Sequence, residues 1–132
     1  MQENEYKEQA WGVEKLGQKP SPFFIARGKC GDEDVKFEML YCGICHTDVH
    51  FAENDLGNTK FPVVPGHELI GKVVEVGSKV TNFKVGDNVG VGCIVDSCLD
   101  CSKCKENSEQ YCENGMTMTY NSDRKRNRVP GN

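Results

Sequence analysis

Four cysteines fall in the pattern Cys98-x2-Cys101-x2-Cys104-x7-Cys112, all inside fifteen residues. Two-residue spacers let successive thiolates turn back onto one ion, and the longer excursion to Cys112 brings in a fourth donor that closes a tetrahedral S4 shell. Thiolates suit zinc, and a closed shell leaves no position for substrate, so this cluster is expected to be structural. Lys103 and Lys105 stand close enough in sequence to offset part of the negative charge that four thiolates leave on one divalent ion. The competing readings are unligated thiols and an iron–sulfur cluster, but an iron–sulfur run more often closes with C-x3-C-P, which is missing.

A second constellation gathers all three histidines of the chain, in Cys45-His46-Thr47-Asp48-Val49-His50 and in Pro65-Gly66-His67-Glu68. A catalytic zinc takes nitrogen, sulfur and oxygen donors with one position left open, and Cys45, His67 and Glu68 offer one donor of each kind. By itself each segment is a weak signal. The pair Cys45-His46 also fits an incidental surface neighbour, and Cys42-x2-Cys45 resembles a redox pair that should open a helix within an α/β pattern.

The elements that must position these residues read as mostly strand. After a polar leader to about Gln9, residues 10–27 suggest short extended pieces joined by turns. Val35–Leu40 alternates apolar and polar residues as a half-buried strand does, with the turn that starts it at Asp32, Glu33 and Asp34. Residues 47–53 permit a short helix, for which Thr47 and Asp48 are candidate caps. The Val-rich, glycine-punctuated stretches 71–76 and 88–95 read as further short strands, with Val73, Val74 and Val76 in the core. Fourteen glycines and many short strands argue for a mainly β fold, an irregular barrel with small helices. Gly66, Gly71 and Gly77 are expected to serve backbone turns. Gly86, Gly90 and Gly92 lack the G-x-G-x-x-G spacing and the following helix of a dinucleotide fold.

The chain has 132 residues, the size of one domain, with 37% hydrophobic and 27% charged residues. A formal charge of -4 gives no long-range attraction to nucleic acid or anionic lipid, and no apolar run is long enough to span a bilayer. The opening residues lack the basic and apolar regions of a secretory signal. A cytoplasmic location is therefore expected, where eight cysteines are ligands or thiols before they are disulfides.

Taken together the motifs carry a resemblance. Gly66-His67-Glu68-x2-Gly71-x5-Gly77-x2-Val80 resembles the signature of zinc-containing medium-chain alcohol dehydrogenases, and the four-cysteine lobe, residues 96–114, is similar to their structural zinc loop. Cys45-His46-Thr47-Asp48-Val49-His50 completes a third motif in the family's order. Residues 41–120 are similar to the cinnamyl-alcohol-dehydrogenase-like branch, including Cys93 and Met118-Thr119-Tyr120, and Leu56 is more like its plant members than the bacterial aldehyde reductases. The resemblance implies a GroES-like catalytic domain over residues 1–132, in which Cys45 and His67 ligate catalytic zinc, with Glu68 as an alternating or outer carboxylate. It implies that Asp48 holds the His67 imidazole, Thr47 bonds the substrate oxygen, His50 ends a proton relay, and His46 faces the cofactor pyrophosphate. It further implies NAD(P), with NADP favoured weakly, a small alcohol or aldehyde substrate, aromatic alcohols favoured weakly, and a homodimer of the intact protein.

The sequence departs from the family in two respects. No cysteine follows Cys112 to serve as a third protein ligand, and no Rossmann domain follows, so a C-terminal truncation is expected, leaving exposed apolar surface and no activity. The basic stretch within residues 121–132 reads as a solvated loop or divergent tail. Two other readings stay open: a non-enzymatic zinc module that pairs with full-length relatives, and a zinc-knuckle nucleic-acid binder, against which Asp96, Asp100 and Glu113 argue.

Overall fold

The computed structural model describes residues 5–123. It opens with a hairpin in which β1 (Glu5–Gly12) pairs antiparallel with β2 (Ser21–Gly28), Trp11 opposite Pro22. The expected polar leader is therefore strand from Glu5 onward. A ladder satisfies backbone groups whatever the side chains are, so polarity alone hid it. β3 (Val35–Cys42), β4 (Leu69–Val76) and β5 (Asn88–Val91) form a three-stranded antiparallel sheet with β4 in the centre. β6 (Ile94–Asp96) pairs with β7 (Thr117–Met118), and this short ladder ties together the two ends of the cysteine lobe.

All four ladders among the described residues are antiparallel, without the parallel βαβ crossover of a dinucleotide fold. The mainly β architecture with short helices is as the sequence led us to expect; its ladders make three separate sheets rather than one continuous hydrogen-bonded cylinder. Among the same residues no helix is long and apolar enough to cross a membrane. Residues 124–132, which carry the basic tail, lie outside the described residues.

The helices are α1 (His46–Glu53), α2 (Ser102–Lys105) and a 3-10 turn at Glu109–Tyr111. The N-cap of α1 lies two residues before the expected Thr47, while Asp48 does take part in the cap. Cys45, in extended conformation, is the N-cap residue, Thr47 lies within the helix, and Asp48 acts from the third helical position by accepting the Cys45 backbone N–H at 3.0 Å. That is the carboxylate half of a capping box, which Asp performs as Glu does. Asn54 ends the helix in the left-handed conformation, with φ at 59°, which a short polar side chain tolerates.

The core joins segments far apart in sequence. Val13 and Val63 exchange two backbone hydrogen bonds of 2.9 Å and are fully buried beside Phe51 and Tyr120. Phe51 meets the Tyr120 ring edge-on at 5.2 Å between centroids, the geometry aromatic quadrupoles favour. Ala52, Phe61 and Met118 pack around this group. Of the three β4 valines expected in the core, by contrast, only Val73 is fully buried; Val74 points to the opposite face and is 43% exposed, and Val76 is half-buried. β3 also departs from the expected alternation. Met39, Leu40 and Tyr41 are all exposed, because within residues 5–123 no second layer covers either face of its C-terminal half.

The three glycines read as turn residues divide. Gly66 does take a positive φ of 129°. Gly71 and Gly77 do not: a Cβ on Gly71 would run into the Phe37 ring and the Glu38 carbonyl, and one on Gly77 into the carbonyl oxygens of Gly31 and Asp32. Their role is close approach of backbone to backbone. Gly77→Ala should therefore destabilise the fold by about 1–3 kcal/mol, whereas Gly92→Ala, where a Cβ meets nothing, should be neutral or slightly stabilising. Urea denaturation of the two variants checks the contrast.

Candidate metal centres

The mixed-donor site forms where β3 hands over to α1 and where the chain enters β4. Pairing of Cys42 with Leu69 continues one step further, the Gly43 N–H donating to the Glu68 carbonyl at 3.0 Å. This brings the first residues of α1 beside His67 and Glu68. Cys45, His67 and Glu68 then present one donor atom each, all within 4.8 Å of one another. Nothing local in the sequence marks Gly43, yet the Glu68 carboxylate fills the space a Cβ there would need. A Cβ on Gly66 would likewise crowd Cys42 Sγ, at 2.8 Å.

Behind the donors, Asp48 Oδ1 lies 3.1 Å from His67 Nδ1, while its other oxygen takes the Cys45 N–H. A carboxylate there places the ring proton on Nδ1 and leaves Nε2 as the donor. Thr47 Oγ1 stands 3.6 Å from Cys45 Sγ. His46 and His50 lie elsewhere on α1, ring against ring at 4.5 Å, with His50 Nδ1 2.8 Å from Asp55 Oδ2. Tyr120, in the sequence only part of a motif, has its ring 5.9 Å from that of His67. Its hydroxyl is buried, near the Asp48 carboxylate and without a hydrogen bond of ordinary geometry; burial first, and that negative charge second, hold it protonated far above neutral pH. Only tertiary packing could reveal this residue.

The four cysteines are gathered by α2 and the 3-10 turn. All four sulfurs lie within 4.8 Å of one another, and Cys98 and Cys104 Sγ are 3.9 Å apart. The edge of an S4 tetrahedron around zinc, with bonds of about 2.3 Å, is about 3.8 Å, so the donor set fits that ion. Backbone N–H groups of Asp100 and Cys101 point at Cys98 Sγ (3.5 and 3.3 Å), and the Cys98 N–H points at Cys112 Sγ (3.5 Å). Lys103 and Lys105, expected to offset the thiolate charge, instead pair with Glu106 and Asp100. The amide dipoles take over the role, because they are fixed at the sulfurs by the turn itself.

The thiols consequently differ. A hydrogen bond from the Asn114 side chain, with those of the Asp100 and Cys101 amides, pulls Cys98 down to about 6. At Cys104 the Ser97 hydroxyl pulls downward, but burial and the neighbouring Cys101 and Cys112 thiols prevail and push it up to about 11.

A mainly β domain with a four-sulfur lobe and an open Cys–His–carboxylate set has the donor chemistry of a metal-carrying domain. Residues 31–130 match the alcohol dehydrogenase GroES-like domain, and the chain belongs to that family, within its cinnamyl-alcohol-dehydrogenase-like branch. It is 58% identical over 100 residues to a mannitol dehydrogenase of Petroselinum crispum, covering 76% of this chain and 29% of that protein. Among solved structures it is similar to a cinnamyl alcohol dehydrogenase of Sorghum bicolor, with TM-score 0.89 and 40% identity, covering 96% of this chain and 35% of the other. It is also similar to the cinnamyl alcohol dehydrogenase of Helicobacter pylori complexed with NADP(H), with TM-score 0.82 and 37% identity over 90% of this chain and 34% of that one. The chain spans about a third of the length of the curated relatives it matches.

Loading the four-cysteine lobe with zinc at pH 7 should release fewer than four protons. Cys98, lowered to about 6, is then already mostly thiolate, whereas Cys104, raised to about 11, must give up its proton to the solvent. Below pH 6 Cys98 is protonated as well, so the number released rises and the apparent zinc affinity falls. Calorimetry in buffers of different ionisation enthalpy measures both.

Proposed function

We propose that these residues belong to a zinc-dependent oxidoreductase that interconverts primary alcohols and aldehydes with a nicotinamide cofactor, and that the 132-residue polypeptide alone binds zinc without turnover. The observation that carries this reading is the Cys45, His67 and Glu68 donor set, within 4.8 Å, with Asp48 bonded behind His67. In this reading those three residues hold a catalytic zinc, which when bound acts as a Lewis acid on the alcohol or carbonyl oxygen. Cys98, Cys101, Cys104 and Cys112 hold a second, structural zinc.

Asp48 keeps His67 in one tautomer and one orientation, so that its lone pair is aimed before the ion arrives. The Thr47 hydroxyl, next to Cys45 Sγ, hydrogen-bonds the substrate oxygen. His50 passes the proton outward, and Asp55, at 2.8 Å from its Nδ1, stabilises the charged ring as the proton passes. His46, exposed at the first turn of α1, contacts the cofactor pyrophosphate. NADP is favoured over NAD by the NADP(H)-complexed relative of the same branch. Relatives named for mannitol and for cinnamyl alcohol support an alcohol or aldehyde substrate, and Leu56 favours aromatic members of that class. The intact protein would act as a homodimer. Eight free cysteines support a reducing, cytoplasmic setting.

A second reading has one observation in its favour. Tyr41 and Ile44, 72% and 88% exposed, leave an apolar surface beside the site, which suits a non-enzymatic zinc module that pairs with full-length relatives. The two readings separate on the polypeptide's company: copurification with an intact homologue supports the second.

Two measurements test the main proposal. The purified polypeptide should show no NAD(P)H oxidation with cinnamaldehyde, and measurable turnover overturns that half. Asp48→Asn should weaken zinc binding at the Cys45–His67–Glu68 site about 10–100-fold and leave the four-cysteine lobe loaded, as read by competition with a chromophoric chelator. Equal loss at both sites, or at neither, overturns the assignment.

A further inference from the structure

Two of the three histidines, His46 and His50, are donors in neither centre, yet their rings lie together on one face of α1. Residues four apart on a helix project over the same strip of surface, and here the ring centroids are 4.5 Å apart with the planes tilted by 46°. The outer nitrogen is already arranged at one of them. Asp55 Oδ2 lies 2.8 Å from His50 Nδ1, which keeps the proton on that nitrogen and leaves Nε2 with its lone pair free.

Asp55 is itself held in place. It follows Asn54, whose left-handed conformation ends the helix, and its own N–H donates to the His50 carbonyl at 3.0 Å. The carboxylate is thus anchored to the backbone of the residue whose ring it orients. A carboxylate on the far nitrogen of an imidazole is the arrangement that orients a metal-ligating histidine and raises its basicity. The helix beneath is fixed too, by Phe51 in the core and by the Asp48 contact at its first turn. The backbone that carries both rings is therefore held in place before an ion binds.

We propose that His46 and His50 form a third metal site, separate from the two described above, that takes a borderline divalent transition-metal ion through two imidazoles, with water completing the shell. Imidazole donors suit nickel, copper and zinc, whereas magnesium and calcium prefer oxygen. His46 is exposed and the His50 side chain is 40% exposed, so an ion reaches the pair from solvent. The site depends on no role of these histidines in alcohol oxidation.

The test is calorimetric titration with Ni(II) of the 132-residue polypeptide loaded with only the two equivalents of zinc that the two donor sets would take. The expected result is a single additional ion per chain, with no zinc released. His46→Gln and His50→Gln should each abolish it, Asp55→Asn should weaken it about 10-fold, and Cys45→Ser should leave it unchanged. Retained zinc in the four-cysteine lobe shows that each variant is folded. Sub-stoichiometric paramagnetic Ni(II) should also broaden the imidazole NMR signals of His46 and His50 before that of His67. Binding that survives His50→Gln but is lost in Cys45→Ser, uptake matched by zinc release, or no binding at all overturns the proposal.

Discussion

One buried carboxylate ties the mixed-donor site together. Asp48 is 8% exposed, and its two oxygens face two different parts of the chain, one taking the Cys45 N–H and the other lying 3.1 Å from His67 Nδ1. An isolated carboxylate would be costly at that depth, so its burial is tolerable only with both partners in place. The same group therefore starts α1, which fixes Cys45, and aims the imidazole of His67, which arrives from the loop before β4. Displacing it would loosen the relation between the two donors without touching either.

Packing beneath that carboxylate is what makes it a fixed point. Phe51, one turn along α1 from Asp48, is wedged between the Val13–Val63 bridge and the Tyr120 ring, and Tyr120 in turn lies against His67. Core and site are thus one continuous body, in which an aromatic from the segment after β7 supports a histidine near β4. The exposed surface on the other side is equally informative. Met39, Leu40, Tyr41 and Ile44 follow one another along the end of β3 and the turn into α1, and an apolar run of that kind usually meets another surface.

The two donor sets are built on different principles. The four-cysteine lobe is local: its donors, the amides aimed at its sulfurs and the Asn114 side chain all come from one short stretch clasped by β6 and β7. The Cys45, His67 and Glu68 set is assembled across the sheet, through the β3–β4 register and the close approach that Gly43 permits. A local site keeps its geometry as long as its turns do, whereas a site built across the sheet depends on the whole fold.

Sequence by itself determined the family and the donor types on offer: four cysteines at ligand spacing, a Cys–His–carboxylate set, and the motifs that order them. For the four cysteines spacing suffices, because a two-residue turn can close onto one ion without help from distant residues. It also read the strands at β3, β4 and β5, where valines and glycines mark short ladders. What the tertiary structure alone decided is which groups support those donors. Tyr120 under His67, Gly43 making room for Glu68, and Gly71 and Gly77 serving close packing all arise from segments that meet only after folding. The amides replacing the lysines at the thiolates are a matter of turn geometry, and the single-sided burial of β4 reflects which layer covers it. Residue type announces what a side chain can donate, but its neighbours are set by chain pairing and packing, which no local pattern encodes.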